Sequence, residues 1–550
     1  MFGALNAVRS DRNWRVETQN QTCLGFDYDQ LRLAPTLVLG ASALRLCPPQ
    51  GRLLATSNDG FSGALGLGTI DIPVSGERFQ GQFGLSDATL DWRADGDLSM
   101  SIAANSLTFP LTIDGRSLRV ETASPNLRLA LNPALDVSAM LGATQLSGDL
   151  VPANLEIADT RLTGGFFNSG FLGSAQTSDV RVSDFRDDPL YQPILGDLTA
   201  DFDGADMRVS GPFRLASTSE LIGFAEAEIN LFSLTGTANM ETPILVFSRN
   251  GLKPRQISER LRGLFPDAVG SAQGRADFRI DRGQLSGDGR FTLTDFGFST
   301  SRLGPVVGVN GTVIFDDVIA ISTPPKQTFT IERLNPGLPL NNGTVEFQVL
   351  QGREARLEDA RWPFAGGSLS VAPSRWTISG TEDTVEVRAD RIELKQLIDT
   401  LKVPDLEAEG TLSGTFPIEL RAGATFINDA RFKVDDEGGR LAYRGAVLES
   451  AGGTNESVNS AFQALQNLQY SVLEVSLNGN LLGDITLGAL LVGRNPDVLG
   501  GSEFEFDISI DSKLAQLLQT GREAASQGWL TQAVARQVED RNTETPSPQE

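Results

Sequence analysis

The segment from Gly311 to Gly367 alternates apolar and polar residues over short runs, and turn-forming residues separate the runs. Val313 and Phe315, for example, are apolar residues two positions apart. Because successive side chains of a β-strand point to opposite faces, this spacing puts one face of each run on an apolar surface and the other toward water. Asn342-Gly343 precedes a further run, and this dipeptide favours a tight hairpin because both residues tolerate positive φ. The segment therefore predicts antiparallel strands joined by turns.

The same alternation continues in both directions and predicts a mainly β chain of 550 residues. The 57 glycines and 26 prolines fit many short strands joined by turns better than they fit long helices. Amphipathic helices are predicted at four places, in residues 251–267, 393–403, 457–469 and 513–525. Because these helices stand singly among strands, the pattern argues against regular βαβ winding. We expect a long antiparallel sheet with a few helices lying against it.

The formal charge of the chain is −24, with 46 Lys and Arg against 70 Asp and Glu. Such an acidic surface repels the phosphates of nucleic acid and disfavours simple adsorption to anionic lipid head groups. No nucleic-acid partner is therefore expected.

The chain contains no histidine, which removes the usual general base, the usual metal ligand and every Ser-His or Cys-His nucleophile pair. No cysteine or histidine cluster could hold zinc or a transition metal. Asp316-Asp317 could be paired catalytic carboxylates, but neighbours on a strand point to opposite faces, and a turn explains the pair better. We predict no catalytic residue, no metal site and no cofactor, and we do not expect an enzyme.

Cys23 and Cys47 flank two strand-like runs. One interpretation is a disulfide that closes this first hairpin in an oxidising compartment. The other interpretation is a pair of reduced, unrelated thiols. We favour the disulfide because both residues stand at the ends of strand runs and no other cysteine competes for either.

No run of about 20 apolar residues is present that could cross a bilayer as a helix. The N-terminal residues are too polar, and their apolar part is too short, for a secretory signal. Taken by itself, the sequence is expected to be soluble and unexported, unless an upstream segment has been lost.

Apolar residues two positions apart recur in many of the predicted strands, which makes one face of the sheet largely apolar. This face is either an ordinary sandwich core, in which two sheets bury each other, or a groove that stays open for an apolar ligand. Periodicity alone does not separate the two, and the core is the commoner outcome. The candidates for the lining of a lipid groove are Phe278, Ile280, Phe291, Leu293, Val313, Phe315, Val345, Phe347, Leu369, Val371, Ile485, Leu487, Phe504 and Phe506.

Several short motifs, each weak alone, are specific in combination. They are Thr323-Pro324 to Gln327, Leu334-Asn335-Pro336-Gly337, Pro339-Leu340, Asn342-Gly343, Trp362-Pro363-Phe364-Ala365-Gly366-Gly367, Gly410, Gly414, Pro417, Gly439-Arg440 with Tyr443, Ala464-Leu465, Asn467-Leu468, Tyr470, Gly493, Asn495-Pro496, Gly500-Gly501 and Phe504. Together they resemble the YdbH family of AsmA-like proteins, older records of which carry the label "dicarboxylate transport". The resemblance is good over residues 250–520 and general in texture before that.

The resemblance implies an elongated, folded-over antiparallel sheet with an apolar groove along its length. It implies bridge-like passage of phospholipids between the inner and outer membranes of a Gram-negative cell, in the periplasm. A small outer-membrane lipoprotein that adds strands at the C-terminal edge is the implied partner. Family members are anchored in the inner membrane by an N-terminal helix. This sequence shows no such helix, so we expect the anchor to be missing here or to lie on another chain.

Four parts are expected from these observations. Residues 1–20 are a loosely ordered N-terminus, residues 21–250 the N-terminal part of the groove, residues 251–520 its C-terminal, YdbH-like part, and residues 521–550 a short helix and a disordered acidic tail.

Two other kinds of protein also have many alternating strands. An outer-membrane β-barrel is one, but barrels carry aromatic girdles, and this chain has 5 Trp and 4 Tyr. A β-solenoid adhesin or polysaccharide-acting protein is the other, and it would need acidic residues that cluster in space.

Overall fold

Short antiparallel strands make up most of the structure, which is a computed structural model. It describes residues 5–10, 13–34, 37–57, 60–76, 78–95, 97–132, 134–151, 153–167, 170–262, 265, 267–300, 304–336, 338–352, 354–377, 383–401, 403, 405–421, 424–435, 438–445, 456–481 and 483–513.

The first strands are β1 (Leu5–Ser10), β2 (Asn13–Thr18), β3 (Leu24–Tyr28), β4 (Leu31–Ala34), β5 (Leu37–Leu39), β6 (Ser42–Leu46), β7 (Arg52–Ser57), β8 (Gly60–Ser75), β9 (Phe79–Ala94), β10 (Leu98–Ala103), β11 (Ser106–Ile113), β12 (Arg116–Ala123), β13 (Asn126–Asn132), β14 (Ala134–Leu141), β15 (Thr144–Ser147), β16 (Asn154–Ile157), β17 (Asp159–Phe167), β18 (Gly170–Ser183), β19 (Ile194–Asp203), β20 (Asp206–Leu215), β21 (Leu221–Asn230), β22 (Thr235–Glu241) and β23 (Leu245–Phe247).

The remaining strands are β24 (Val269–Asp281), β25 (Gln284–Thr300), β26 (Gly304–Phe315), β27 (Gln327–Leu334), β28 (Leu340–Leu350), β29 (Glu354–Phe364), β30 (Gly367–Val371), β31 (Ser374–Thr377), β32 (Asp383–Glu393), β33 (Leu406–Ala408), β34 (Thr411–Arg421), β35 (Ala424–Val434), β36 (Gly439–Tyr443), β37 (Leu468–Asn480), β38 (Asp484–Arg494) and β39 (Glu503–Lys513). The helices are α1 (Pro254–Ile257), α2 (Leu394–Leu401) and α3 (Glu456–Leu465).

In the described part of the chain, 37 strands form one antiparallel sheet, and β3 pairs with β6 in a separate two-stranded sheet. The prediction of a mainly β, antiparallel fold with few helices is therefore confirmed. The chain divides into two units. Unit 1 contains Met1–Leu245, Pro254–Arg262 and Gln273–Gly289, and unit 2 contains Val246–Lys253, Gly263–Ala272 and Arg290–Glu550.

The sheet of unit 1 divides into two branches and joins again. The 16-residue strand β9 pairs with β10 along one half and with β11 along the other. One branch continues through β13, β14 and β17, and the other through β12, β15 and β16. Both branches end on the 14-residue strand β18. Each of these long strands thus pairs with two shorter strands that lie end to end. From β18 the backbone ladder continues through β19, β20, β21 and β22 to β24.

The turns of unit 1 lie along two opposite margins of this sheet. A continuous row of paired residues starts at Trp92 on β9 and ends at Ile280 on β24. It passes through Met100, Leu129, Val137, Gly164, Gly173, Phe202, Met207, Ile229 and Gly236. The adjacent row likewise joins Leu90 to Phe278, so the chain runs in the same direction along β9 and β24. Arg78, before β9, therefore lies on one margin, and Arg282, after β24, lies on the other.

The first margin contains Arg78, the turn Asp114–Gly115 with Arg116, and the turn Asp149–Leu150. The second margin contains the turns 231–234 and Arg282–Gly283. Arg116 Nη1 donates a hydrogen bond to the carbonyl oxygen of Arg282 at 3.3 Å. A strand of ten residues is about 33 Å long, so the two margins of a flat sheet could not touch. The sheet of unit 1 is therefore folded over, with one face turned inward.

β-Bulges keep the apolar residues of long strands on one face. The pairing of β18 shifts between Thr177 and Val180, where Asp179 has a φ of 51°. The shift places buried Val180, instead of Asp179, on the same face as Ala175. The freed backbone N–H of Asp179 donates to Asp197 Oδ1 of the neighbouring strand at 3.3 Å.

The same arrangement recurs further along the chain. Arg391 and Asp429 lie at register shifts and, like Asp295, have positive φ, and each of the three precedes a buried apolar residue. Their backbone N–H groups donate to side chains of Asn310, Ser413 and Asn478, which lie outside the bulged strands. After each bulge the apolar residues again lie on the same face of the strand as before it. The backbone N–H of the bulged residue still has a hydrogen-bond acceptor.

Unit 2 continues the antiparallel pattern and adds helices. β26 to β29 pair in chain order, and β29 holds β30 and β31 end to end. The ladder then runs through β32, β34, β35, β37, β38 and β39. Leu394 of α2 and Phe462 of α3 join a buried cluster with Leu491 and Phe506 of the sheet. The helices therefore cover the apolar face near the last strands.

The predicted helices at residues 393–403 and 457–469 correspond to α2 and α3. The helix predicted over residues 251–267 is wrong. α1 has four residues, and Ser258 after it is extended, with φ −148° and ψ 130°. The carbonyl oxygen of Ile257 accepts from Gln192 N at 2.8 Å, so a tertiary contact takes the acceptor that the next helical turn requires. The helix predicted at 513–525 and the predicted tail lie outside the described residues, apart from Lys513, which ends β39. None of the described helices is long and apolar enough to span a membrane.

The N-terminal segment differs from the expectation of loose order. β1 and β2 form a hairpin, and β2 also pairs with β7 through Arg15–Ala55 and Val16–Leu54. The ladder of unit 1 thus extends into residues 5–18. Cys23 and Cys47 form a disulfide that closes the segment containing β3 and β6.

Replacing both Cys23 and Cys47 by Ser is expected to destabilise this closed segment by about 3 kcal/mol, because the bond removes loop-closure entropy from the open state. Hydrogen exchange measures the effect as faster exchange at the amides of β3 and β6. The amides of β37 and β38 serve as an internal control and should not change. Equal protection of β3 and β6 in both proteins would contradict this role of the disulfide.

Candidate functional site on the apolar face of the sheet

One face of the sheet in unit 1 carries an unbroken row of apolar residues. The row crosses twelve strands, and each neighbouring pair is a direct cross-strand partner. Its members, in order across the sheet, are Leu65, Leu90, Ile102, Leu127, Ala139, Leu162, Ala175, Ala200, Val209, Ala227, Ala238 and Phe278. The row from Trp92 to Ile280 runs beside it and is also entirely apolar or glycine. The two rows form a continuous apolar band.

The opposite face of the same strands is polar. A third row of cross-strand partners lies between the two apolar rows, and its side chains point to the other face. Its members are Ala64, Asp91, Ser101, Arg128, Ser138, Thr163, Ser174, Asp201, Arg208, Glu228, Thr237 and Arg279. Arg208 and Glu228 form an exposed ion pair across the ladder at 2.8 Å. Asp201, Arg208, Glu228, Thr237 and Arg279 are all exposed. The folded-over sheet of unit 1 therefore turns its apolar face inward and its charged face to water.

Most of the apolar band of unit 1 is half-buried, whereas Leu65, Val137, Ala139 and Ala175 are buried. Leu90, Leu162, Val209, Ala227 and Phe278 are each half-buried, although all lie on the inward face. In a sandwich core, side chains from a second layer would remove such residues from water. The half-buried part of the band is therefore an apolar surface that is less closely packed than a sandwich core.

Small residues and aromatic rings shape this inner surface together. An added Cβ at Gly63 would lie 2.1 Å from Cζ2 of Trp92, and one at Gly173 would lie 2.6 Å from Cζ of Phe171. The rings of Trp92 and Phe171 therefore occupy the space that a side chain at Gly63 or Gly173 would need. Phe171 also contacts Phe202, with ring centroids 5.9 Å apart. These contacts make the surface smooth and apolar where the strand itself has no side chain.

The closed segment at the N-terminus contacts the same face. Leu44 of β6 packs against a small buried cluster of Ile70, Leu85 and Ala88. The disulfide-closed hairpin thus covers the inner face of β8 and β9 near the start of the sheet.

In unit 2 one face of the sheet also carries two rows of cross-strand partners that are apolar or glycine. One row joins Phe329, Val345, Ala360, Val371, Val387 and Phe416, and a second joins Trp362, Leu369, Ala389, Gly414, Phe432, Val475, Ala489 and Ile508. Val385, Val387, Phe416, Ile427 and Ile485 are buried in one cluster of this face.

The candidate residues from the sequence fall into two groups. Val313, Ile485 and Phe506 are buried, at 8%, 2% and 3% exposure, so they act as packing residues. The half-buried candidates are Phe278, Ile280, Phe291, Leu293, Phe315, Val345, Phe347, Leu369, Val371, Leu487 and Phe504.

Several of these candidates are brought together by the ladder. Phe278 and Ile280 end the two apolar rows of unit 1. In unit 2, Val345 pairs with Phe329, and Phe347 stacks on Phe329 with ring centroids 5.2 Å apart. Leu369 and Val371 belong to the two rows of unit 2. Leu487 pairs with Leu477, and the Phe504 and Phe506 rings stack at 6.1 Å.

Most of the band in unit 1 does not stand out in the sequence, because Ala and Gly occupy several of its positions. Ala200, Ala227 and Ala238 are weakly apolar, so they do not stand out as pairs. The signal that could have found them is the regular alternation with charge, as in Ala225-Glu226-Ala227-Glu228-Ile229.

No group of three or more Cys, Asp and Glu residues in the described part of the chain is arranged to hold a metal ion.

A family model described as YdbH-like, intermembrane phospholipid transport protein YdbH, matches residues 25–534. The chain belongs to the YdbH-like family. The match includes residues before 250, where the sequence motifs show only a general resemblance. No curated protein matches the chain. Membership of the YdbH-like family connects the chain with phospholipid transport and not with a family of enzymes.

Phe462 on α3 is 2% exposed within the buried cluster of unit 2. Replacing it by Ala is expected to cost about 3–5 kcal/mol of the unfolding free energy of unit 2, because a cavity remains. Denaturant titration measures the loss. Gln463→Ala on the same helix is the control, since Gln463 is exposed and its replacement should change stability by less than about 0.5 kcal/mol. Equal effects of the two changes would show that α3 is not packed on the sheet as described.

Proposed function

We propose that this protein carries phospholipids between the inner and outer membranes of a Gram-negative cell envelope, as a bridge along which acyl chains slide. The observation that carries the proposal is the unbroken apolar row from Leu65 to Phe278 on the inward face of unit 1, in which nine of the twelve residues are half-buried. Membership of the YdbH-like family supports phospholipid as the cargo.

The dimensions and energetics of the row suit such a path. Strands lie about 4.8 Å apart, so twelve of them provide about 50 Å of apolar surface. Each CH₂ group that leaves water gains about 0.8 kcal/mol. Because the row stays apolar from strand to strand, a chain that moves along it exchanges one apolar contact for another and meets no deep minimum. Movement then follows the supply and removal of lipid at the two ends.

The disulfide between Cys23 and Cys47 supports a periplasmic location, because disulfides persist in oxidising compartments. Attachment to the inner membrane, which the family resemblance implies, is part of the same proposal. The proposed outer-membrane partner is a small lipoprotein that adds a strand to β39. That strand pairs with β38 along all eleven of its residues, so an added strand would extend an established ladder.

The first test is the lipid content of the purified protein. The chain, directed to the periplasm by an added export signal, is washed, extracted with organic solvent and analysed by mass spectrometry. We expect several phospholipid molecules per protein, because the band is long enough for more than one. Protein that is free of lipid, yet folded by circular dichroism, would refute the proposal.

Ala238→Glu is expected to reduce lipid transfer between donor and acceptor vesicles by at least about tenfold, because an unpaired carboxylate on the inner face repels acyl chains. Ala238 pairs with Phe278 in the apolar row. Thr237→Glu is the matched control, since Thr237 is the next residue, exposed on the outer face beside Arg279. Fluorescent lipid transfer is measured for both variants after their strand content is shown to be equal. Equal transfer by the two would place the lipid path elsewhere.

A further inference from the structure

Two arginines connect the opposite margins of the folded sheet in unit 1. Arg78 Nη1 donates to the carbonyl oxygen of Phe232 at 3.1 Å, and Arg116 Nη1 donates to the carbonyl oxygen of Arg282 at 3.3 Å. Both arginines lie on the first margin, and both acceptors lie on turns of the second. These contacts therefore cross the mouth of the groove.

Each arginine is held in place by an acidic turn on its own margin. Arg78 Nε lies 3.2 and 3.1 Å from the two carboxylate oxygens of Asp114. Arg116 Nη2 donates to the carbonyl oxygen of Asp149 at 2.5 Å. The Asp149 carboxylate in turn accepts from Ser117 Oγ at 2.8 Å and from Ser117 N at 3.3 Å. The acidic turns thus hold both arginines in the orientation in which they reach the opposite margin.

The charges of this arrangement persist at neutral pH. The hydrogen bond from Arg78 lowers the pKa of Asp114, and nearby Arg282 lowers it further. Hydrogen bonds from Ser117 lower the pKa of Asp149. Both carboxylates therefore stay ionised. The Asp114 carboxylate binds Arg78 directly, whereas the Asp149 carboxylate binds Ser117, the residue next to Arg116.

The second margin fits closely against the first. Gly283 has a φ of +72°, and an added Cβ there would lie 2.8 Å from Nη1 of Arg116 and 2.9 Å from Cδ2 of Leu150. A glycine thus allows the turn to approach the arginine and the leucine. The side chains of Arg78 and Asp114 are each 43% exposed, so the contacts across the mouth are made in water. Such contacts are weak and break readily, unlike the backbone ladder beside them.

We propose that these contacts form a clasp across the groove mouth, made of Arg78, Asp114, Arg116 and Asp149 against the turns at Phe232 and Arg282, and that it gates lipid movement. This inference rests on the proposed function. A phospholipid on the apolar face keeps its charged head group in water at the mouth, because burial of the charge is costly. A bar across the mouth blocks the head group while the acyl chains could still slide. The clasp must therefore open each time a lipid passes.

Locking the clasp tests this gate directly. Leu150 lies on the first margin and Arg282 on the second. The Leu150 side chain reaches Gly283, the residue next to Arg282, so the two positions are close enough to be joined. In the variant Leu150→Cys/Arg282→Cys, a short bis-maleimide joins the two margins, while Cys23 and Cys47 are protected by their disulfide. Controls are the untreated double variant and each single variant treated with the reagent.

We expect the cross-linked protein to retain its bound lipid but to transfer lipid between vesicles at least about tenfold more slowly, because the charged head group cannot pass. Full cross-linking with an unchanged transfer rate would overturn the gate and leave the proposed function standing. If the untreated double variant neither holds nor transfers lipid, although each single variant does, the clasp region is needed to hold lipid and the gate is refuted. If no form of the protein holds lipid, the proposed function fails and the gate fails with it.

Releasing the clasp is the complementary test. Arg78→Gln/Arg116→Gln removes both charged donors and is expected to raise the transfer rate severalfold. Arg208→Gln is the control, since Arg208 is an arginine of the outer face that pairs with Glu228 and contacts neither margin. A rate in the released variant that is equal to or below that of the control would contradict gating by these arginines.

Discussion

The register of the antiparallel backbone ladder is the constraint on which the rest of this structure depends. Side chains alternate between faces with a period of two, so a slip of one residue would exchange the apolar and polar faces of a strand. Rows of apolar residues that cross twelve strands exist only because every pair keeps the same register. Hairpin turns set this register locally. Bulges such as the one at Asp179 restore it where the sequence departs from alternation.

A single folded sheet shields its own apolar face from water, whereas a β-sandwich needs two sheets to do so. An apolar face must be shielded from water, and a sandwich does so by packing a second sheet against it. In unit 1 the sheet itself curves over until its margins meet through Arg78 and Arg116. The inner face is then screened but not filled. The proposed carriage of acyl chains depends on that difference.

The two units use the same ladder with different side chains. Unit 1 has Ala and Gly along much of its inner face, with rings of Trp92 and Phe171 over bare backbone. Unit 2 has Phe and Val, and α2 and α3 bury the face near the last strands. Small residues leave space on an inner surface, whereas large ones fill it.

The class of fold follows from local sequence, because alternation and turn residues act locally. Period-two runs and turns such as Asn342-Gly343 predict an antiparallel, mainly β chain. The absence of histidine excludes a catalytic histidine. Helices with strong periodicity, at α2 and α3, were also predictable. The helix at residues 251–267 was not, because a contact from Gln192 ended it.

Only the tertiary structure decided which apolar residues face open space and which are packed. Phe278 and Phe506 have the same local pattern, yet one is half-buried at the end of a row and the other is buried under a helix. The sequence pattern specifies on which face of its strand a side chain lies. What lies opposite that face depends on strands hundreds of residues away and on how far the sheet curves, and no local pattern encodes either.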